Sequence, residues 1–302
     1  MKLNHKTILG NLPNVLARFQ GNDLEAKCNL YEPPLRSELF SSDQMKQHGK
    51  ALAGLHTIRP GHAPDRLLAR LAENEAILTG TRSLLVEAVK TDRKITPAAE
   101  WLLDNFYLIE EQIHTAKRHL PKGYSRELPR LLAGPSAGLP RVYDIALETI
   151  SHGDGRVDPE SLRSFIEAYQ TVTLLKLGEL WAIPIMLRLA LIENLRRVGF
   201  RIASDRMDRN LAEHWADLIT DVAVKDPKGL ILVIADMARS NPPLKSAFVA
   251  EFARRLQGQG PALAMPLTWI EQHLSESSMT IDQMVQAENQ KQAADQVSMS
   301  NS

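Results

Sequence analysis

Apolar residues recur at helical spacing along most of this chain. Ser41 and Ser42 precede an amphipathic run ending near Leu55. After the break "IRPGHAP", Asp65 opens a longer one, in which Leu67, Leu71, Leu78, Leu85 and Val89 keep one face, with Leu68 and Ala72 alongside. In "ITPAAEWLLDNFYLIEEQIHTAKRHLP", Thr96 caps, Pro97 takes the first helical position and Glu100 puts negative charge in the first turn. Trp101, Asn105, Leu108, Gln112 and Ala116 form one seam of this helix. Leu102, Phe106, Ile109, Ile113 and Leu120 form the next, so contacts are expected on more than one side. Pro121 stops it.

A glycine- and proline-rich connection follows. Further helices are predicted through "VYDIALETI", from Asp158 and Pro159, and through "LGELWAIPIMLRLALIENLRRV", the most apolar stretch, which continues with breaks towards Ile202. Another covers Asn210 to Val224, with Leu211, Trp215, Leu218, Ile219 and Val222 inward. Asp226 with Pro227 starts the next, and Pro242 with Pro243 introduces one carrying Leu244, Phe248, Val249, Phe252 and Leu256. "PALAMPLTWIEQHL" and a final segment with Met284, Ala287, Ala294 and Val297 at spaced positions complete the series. The β-branched run "ILVIAD" is read as helix because of its cap and the "MARS" that follows it. No convincing period-two runs or internal repeats appear. The expected fold is all-α, a bundle of roughly ten helices. Its expected parts are an irregular segment over residues 1–40, a helical domain over 41–203 and a second helical subdomain over 204–302. The final helical pattern ends without a capping glycine and is read as truncated.

The apolar stretch raises the question of a membrane span. Its uncharged run from Leu180 to Leu187 is far short of the roughly 20 residues a span needs, and Arg188 and Glu193 interrupt it. A buried helix bent at Pro184 is expected instead. Its charged and polar residues Glu179, Arg188, Glu193, Asn194, Arg196 and Arg197 are expected to form structural ion pairs wherever they are covered, since a lone buried charge costs several kcal/mol. Lysine plus arginine equals aspartate plus glutamate at 36 each, which argues against a nucleic-acid partner. The single cysteine, Cys28, excludes an intrachain disulfide. The N-terminus lacks the apolar core of a signal peptide, so a cytoplasmic location is expected.

Candidate chemistry is sparse. "GPSAG" matches the G-x-S-x-G pattern but lacks the strand–turn–helix context that exposes a nucleophile, and reads as a turn. Glu100, Asp104, Glu111 and His114 would be the ligands of a small metalloenzyme, but the di-iron pattern needs a second E-x-x-H that the chain does not contain. "HGDGRVDPE" brings His152, Asp154 and Asp158 close together without the ligand register of a calcium loop. Neither phosphate-binding nor dinucleotide-binding glycine motifs occur. No metal or cofactor is expected.

Several blocks in order, "SELFSSDQMKQHGKALA", "ITPAAEWLLDNFYLIEEQI", "LPKGYSRELPRL", "PRVYDIALETISHGDGRVD", "FIEAYQ", "LGELWAIPIMLRLALIENLRR" and "IDQMVQAENQKQAADQVSMSNS", resemble the N-terminal region of cyclic β-1,2-glucan synthases. The resemblance covers residues from Leu35 onward, and the first 30 or so are expected to carry none of it. Ser125 and Lys176 depart from the pattern, where an aromatic and a small polar residue are expected. The resemblance implies a bacterial inner-membrane enzyme that polymerises glucose from UDP-glucose. The chain would correspond to a segment ahead of its transferase core. Neither the D-x-D motif nor the Q-x-x-R-W motif of such transferases is present, so a non-catalytic module is expected. It would lie at the cytoplasmic face of the inner membrane, with the transferase domain or the glucan chain as partner. Tyr124, Arg126, Glu127, Arg141, Tyr143 and Trp181 are the candidate contact residues, because aromatic and arginine side chains supply area and hydrogen bonds at interfaces. The rival reading is a free-standing helical adaptor.

Overall fold

A computed structural model describes residues 32–35, 37–59 and 65–302. Most of the segment expected to be irregular, including Cys28, lies outside them, as do residues 60–64 of the predicted break. Residues 37–40 take no regular structure. Among the described residues there are eleven α-helices: α1 Ser42–Leu55, α2 Arg66–Lys90, α3 Pro97–Asp104, α4 Phe106–His119, α5 Arg141–His152, α6 Pro159–Gln170, α7 Leu177–Lys225, α8 Leu230–Ser240, α9 Ser246–Leu256, α10 Ala264–Ser275 and α11 Ile281–Asn301. Two short strands, β1 Ile58–Arg59 and β2 Arg130–Leu131, pair antiparallel with Ile58 opposite Leu131. The fold is all-α.

Local chemistry explains most helix starts. Ser41 and Gln44 form a reciprocal capping box on α1, and Thr280 and Gln283 form another on α11. Thr96 accepts from Ala99 N and Asp158 from Ser161 N, each followed by proline at the first helical position. Asp65 behaves differently. Its carboxylate does not cap α2 but accepts from Gly123 N at 3.0 Å and Ser125 Oγ at 2.7 Å, fastening the connection after α4 to the start of α2. Buried Ser125 therefore has a defined task where the resemblance suggested an aromatic.

Two predicted boundaries differ. The helix expected from Pro97 breaks at Asn105, whose side-chain amide donates to the Trp101 carbonyl at 2.8 Å. Leu102, Phe106, Ile109, Ile113 and Leu120 of one seam are all buried, whereas the other keeps Ala116 buried, Trp101 and Asn105 half-buried, and Leu108 and Gln112 exposed. The helices expected separately before Ile202 and from Asn210 are a single 49-residue helix, α7, with Pro184 on its exposed side. The division expected at residues 203–204 falls inside it, and residues from Pro34 to Ser302 form one compact unit.

Two cores lie along α7. Its first half, with Ala182, Met186, Leu189, Ala190 and Val198, packs with α2, α3, α4 and α5 through Leu71, Leu78, Leu102, Phe106 and Val142. Its second half, with Ala212, Ala216 and Ile219, packs with Ile234, Phe248, Phe252 and Ile270. A smaller cluster joins α1, α5 and α6 through Met45, Leu52, Ile145, Phe165 and Tyr169. α11 serves both larger cores, with Ile281 in the second and Met299 in the first.

The inward face of α11 differs from the expected apolar series. Ala287 and Ala294 are only half-buried and Val297 is exposed, whereas Glu288, Asp295 and Ser298 are buried. The two acids are buried against charge that α7 offers in return: Arg209 pairs with Glu288 and Arg201 with Asp295, and half-buried Lys291 pairs with Asp205 at 2.5 Å. Ser246 of α9 adds a hydrogen bond to Glu288 at 2.8 Å. Burial pushes the Glu288 carboxyl upward, but Gln292, Arg209 and Ser246 outweigh it and hold it below its ordinary value.

Candidate functional site

The sequence-predicted contact residues divide into an inner and an outer set. Arg141, at the start of α5, is buried and gives a bidentate pair to wholly buried Glu179, with Nε at 2.6 Å and Nη2 at 2.7 Å. Its Nη2 also donates to the Leu174 carbonyl at 2.8 Å. Glu179 in turn accepts from Lys176 N at 2.9 Å, so a single carboxylate caps α7 and neutralises Arg141. Burial alone would lower the Arg141 pKa, but the hydrogen bond and charge of Glu179 reverse it to a net rise. Arg141 is therefore an interior fastener rather than a surface contact.

Tyr143 is also interior, 3% exposed within the first core. Burial, with the nearby charge of Glu193, raises its phenol far above the ordinary range, so it stays neutral. Tyr124 is half-buried against the same core, while Arg126 and Glu127 are exposed on a single 3₁₀ turn, Tyr124–Glu127.

Trp181 is the outlier, 74% exposed on α7. Val172 and Leu174 in the connection from α6 to α7, and Leu177 one turn before Trp181 on α7, are exposed with it and form one short stretch of sequence at this corner. The Arg141–Glu179 pair fixes this corner from beneath, because it holds both the Leu174 carbonyl and the first turn of α7. Large apolar side chains are thus displayed on hydrogen-bonded backbone, an arrangement suited to contact with another surface.

The candidate catalytic and metal sets are not assembled. Glu100, Asp104, Glu111 and His114 are all exposed, divided between α3 and α4 by the break at Asn105, and form no ligand cluster. In "HGDGRVDPE", Asp158 caps α6 and Asp154 contacts the Asn301 side chain at 3.4 Å, so neither turns towards His152 as a ligand. Ser136 of "GPSAG" is buried in a turn bounded by Gly134 and Gly138, both at positive φ, with no helix leaving it directly.

Deeper in, Glu193 of α7 is a heavily engaged carboxylate. It accepts from Arg70 of α2 at 2.9 and 2.7 Å, from Asn74 Nδ2 at 2.9 Å, from Arg197 at 2.9 Å, and also from Arg196. Burial opposes its ionisation, yet the arginines win and hold it far below the usual carboxylate range. The pairing expected for this residue is present, and it is structural.

No protein-family model matches the chain. Among curated proteins, the cyclic β-(1,2)-glucan synthase NdvB of Rhizobium meliloti (strain 1021) is 32% identical over 281 residues, which cover 92% of this chain. The chain resembles part of a cyclic β-(1,2)-glucan synthase. It spans about 10% of the length of that synthase. The match is longer than the stretch from Leu35 to Ser302, so it takes in part of the segment expected to carry no resemblance to the synthases. Among the described residues, no helix is long and apolar enough to cross a membrane.

Proposed function

We propose that the chain acts as a non-catalytic helical module of a cyclic β-1,2-glucan synthase. It packs against the transferase part of such a protein through the corner bearing Val172, Leu174, Leu177 and Trp181. The observation that carries this reading is the match of 92% of the chain to about one tenth of a curated synthase. The exposed apolar corner supports it, since such side chains normally mark a contact surface when they cluster. In this reading the module is peripheral to the inner membrane, on its cytoplasmic side, and the growing glucan is a second partner.

The test replaces the matching block of the Rhizobium synthase with this chain and measures cyclic glucan made by the cells. Production is expected to persist, and to be lost when Leu174→Ser, Leu177→Ser and Trp181→Ser are introduced together. Persistence with the triple variant would overturn the surface assignment. Incorporation of glucose from UDP-glucose by the isolated chain would overturn the non-catalytic reading.

A further inference from the structure

Where His48 of α1 reaches the last turn of α5, three side chains meet that the sequence does not group. Glu148 and His152 lie one turn apart on α5, and His48 comes from α1. His48 Nε2 is 2.7 Å from Glu148 Oε2, and His152 Nε2 is 3.4 Å from the same oxygen. One ligand atom from each residue lies within 4.8 Å of the other two, the single such group among the described residues.

We propose that His48, Glu148 and His152 bind a divalent transition-metal ion of the zinc type. A tetrahedral ion with bonds of 2.0–2.1 Å sets its ligand atoms about 3.3 Å apart; the 2.7 and 3.4 Å spacings to the Glu148 oxygen bracket that value, and side-chain rotation within the 4.8 Å group closes the rest. Two imidazoles with one carboxylate form a zinc ligand set that leaves a fourth position for water, and imidazole disfavours magnesium and calcium.

The surroundings are those of an oriented ligand. His152 Nδ1 lies 2.7 Å from the Glu38 carbonyl, which can only accept, so Nδ1 carries a proton and Nε2 is the nitrogen left to bind a metal. Phe40 stacks on the His152 ring at 3.7 Å between centroids, and Phe165 lies parallel to the His48 ring at 6.0 Å. Both imidazoles are thereby braced. The three side chains retain 25%, 31% and 10% exposure, enough for an ion to enter from water. Bound there, it would tie α1 and α5 to the segment carrying Glu38 and Phe40. This assignment stands independently of the glucan synthase reading.

Tag-free, chelator-treated full chain is titrated with Zn²⁺ by calorimetry and with Co²⁺ by visible absorbance. One saturable equivalent and a raised melting temperature are expected. His48→Ala, His152→Ala and the near-isosteric Glu148→Gln should each weaken binding by more than about 100-fold, the upper end of what loss of an outer-shell partner costs. His119→Ala, at an exposed histidine on α4, should leave binding unchanged. Helical circular dichroism checks that each variant is folded, and Glu148→Gln serves if an alanine variant is not. Absence of a one-to-one site, or a site whose affinity survives Glu148→Gln and the histidine substitutions, would overturn the proposal.

Discussion

Replacing Glu193 by glutamine tests whether α7 is held to α2 by charge. The substitution keeps the shape of the side chain but removes its charge, leaving Arg70, Arg196 and Arg197 without their shared counter-ion. It also turns one acceptor oxygen into an amide that faces donors. Breaking a buried pair on one side costs about 3–5 kcal/mol. Arg70 and Arg197 keep 20% and 14% exposure and can turn towards water, whereas Arg196 at 2% cannot, so a loss of about 3 kcal/mol is expected. With a urea slope of about 3 kcal/mol/M for a chain of this size, the midpoint should fall by about 1 M. The effect also has a pH signature. The Glu193 pKa is lower in the folded state than its ordinary value of 4.5, so its contribution is complete above pH 4.5 and drains as pH falls below it. Each unit removes about 1.4 kcal/mol, so near pH 3 about 2 kcal/mol of the difference between the proteins should be gone. A midpoint shift below about 0.3 M at pH 7, the level of an exposed pair, would refute the reasoning. So would a difference between the two proteins that stays constant with pH.

Gly49 and Gly80 should respond to alanine with opposite signs. A Cβ at Gly49 would stand 2.8 Å from the Phe165 carbonyl oxygen, so Gly49→Ala should cost about 1–3 kcal/mol despite its gain in helix propensity. Gly80 has nothing within 4 Å, and Gly80→Ala should add about 0.5–1 kcal/mol; thermal melts of both read the contrast. Asp65→Ala should cost about 2 kcal/mol in urea melts by releasing Gly123 N and Ser125 Oγ, and Ser125→Ala should add little on top of it in a double-mutant cycle. Met299→Ala empties a position in the first core at the end of α11 and should cost about 2–5 kcal/mol, measured by denaturant midpoint.

Helix starts were legible because they depend on neighbours in sequence. Ser41, Thr96 with Pro97, and Asp158 with Pro159 all act within one turn, as does Thr280, whose capping of α11 the pattern of apolar residues did not single out. The continuity of α7 through residues 203–210 was not legible. Asp205, Arg206, Asp208 and Arg209 look like a surface or a linker, and they are buried only because Glu213, Lys245, Glu288 and Lys291 meet them in the folded chain. Arg141 misled for the same reason, since its partner Glu179 lies 38 positions away. Trp181 fell within the most apolar stretch, and only the packing of its neighbours shows that it points outward. Glu148 and His152 at helical spacing were a signal in the sequence, but nothing local points to His48 as their third member.

The length of α7 has a mechanical consequence. At 1.5 Å per residue, 49 residues make a column about 74 Å long, with Trp181 and Val224 about 65 Å apart along it. Val224, Ile231 and Leu232 are exposed near its far end, as Leu177 and Trp181 are near its beginning. Two bodies gripping these ends would be kept at a separation set by residue count. A push on one would reach the other through a continuous stack of helical turns, with no loop between them to absorb it.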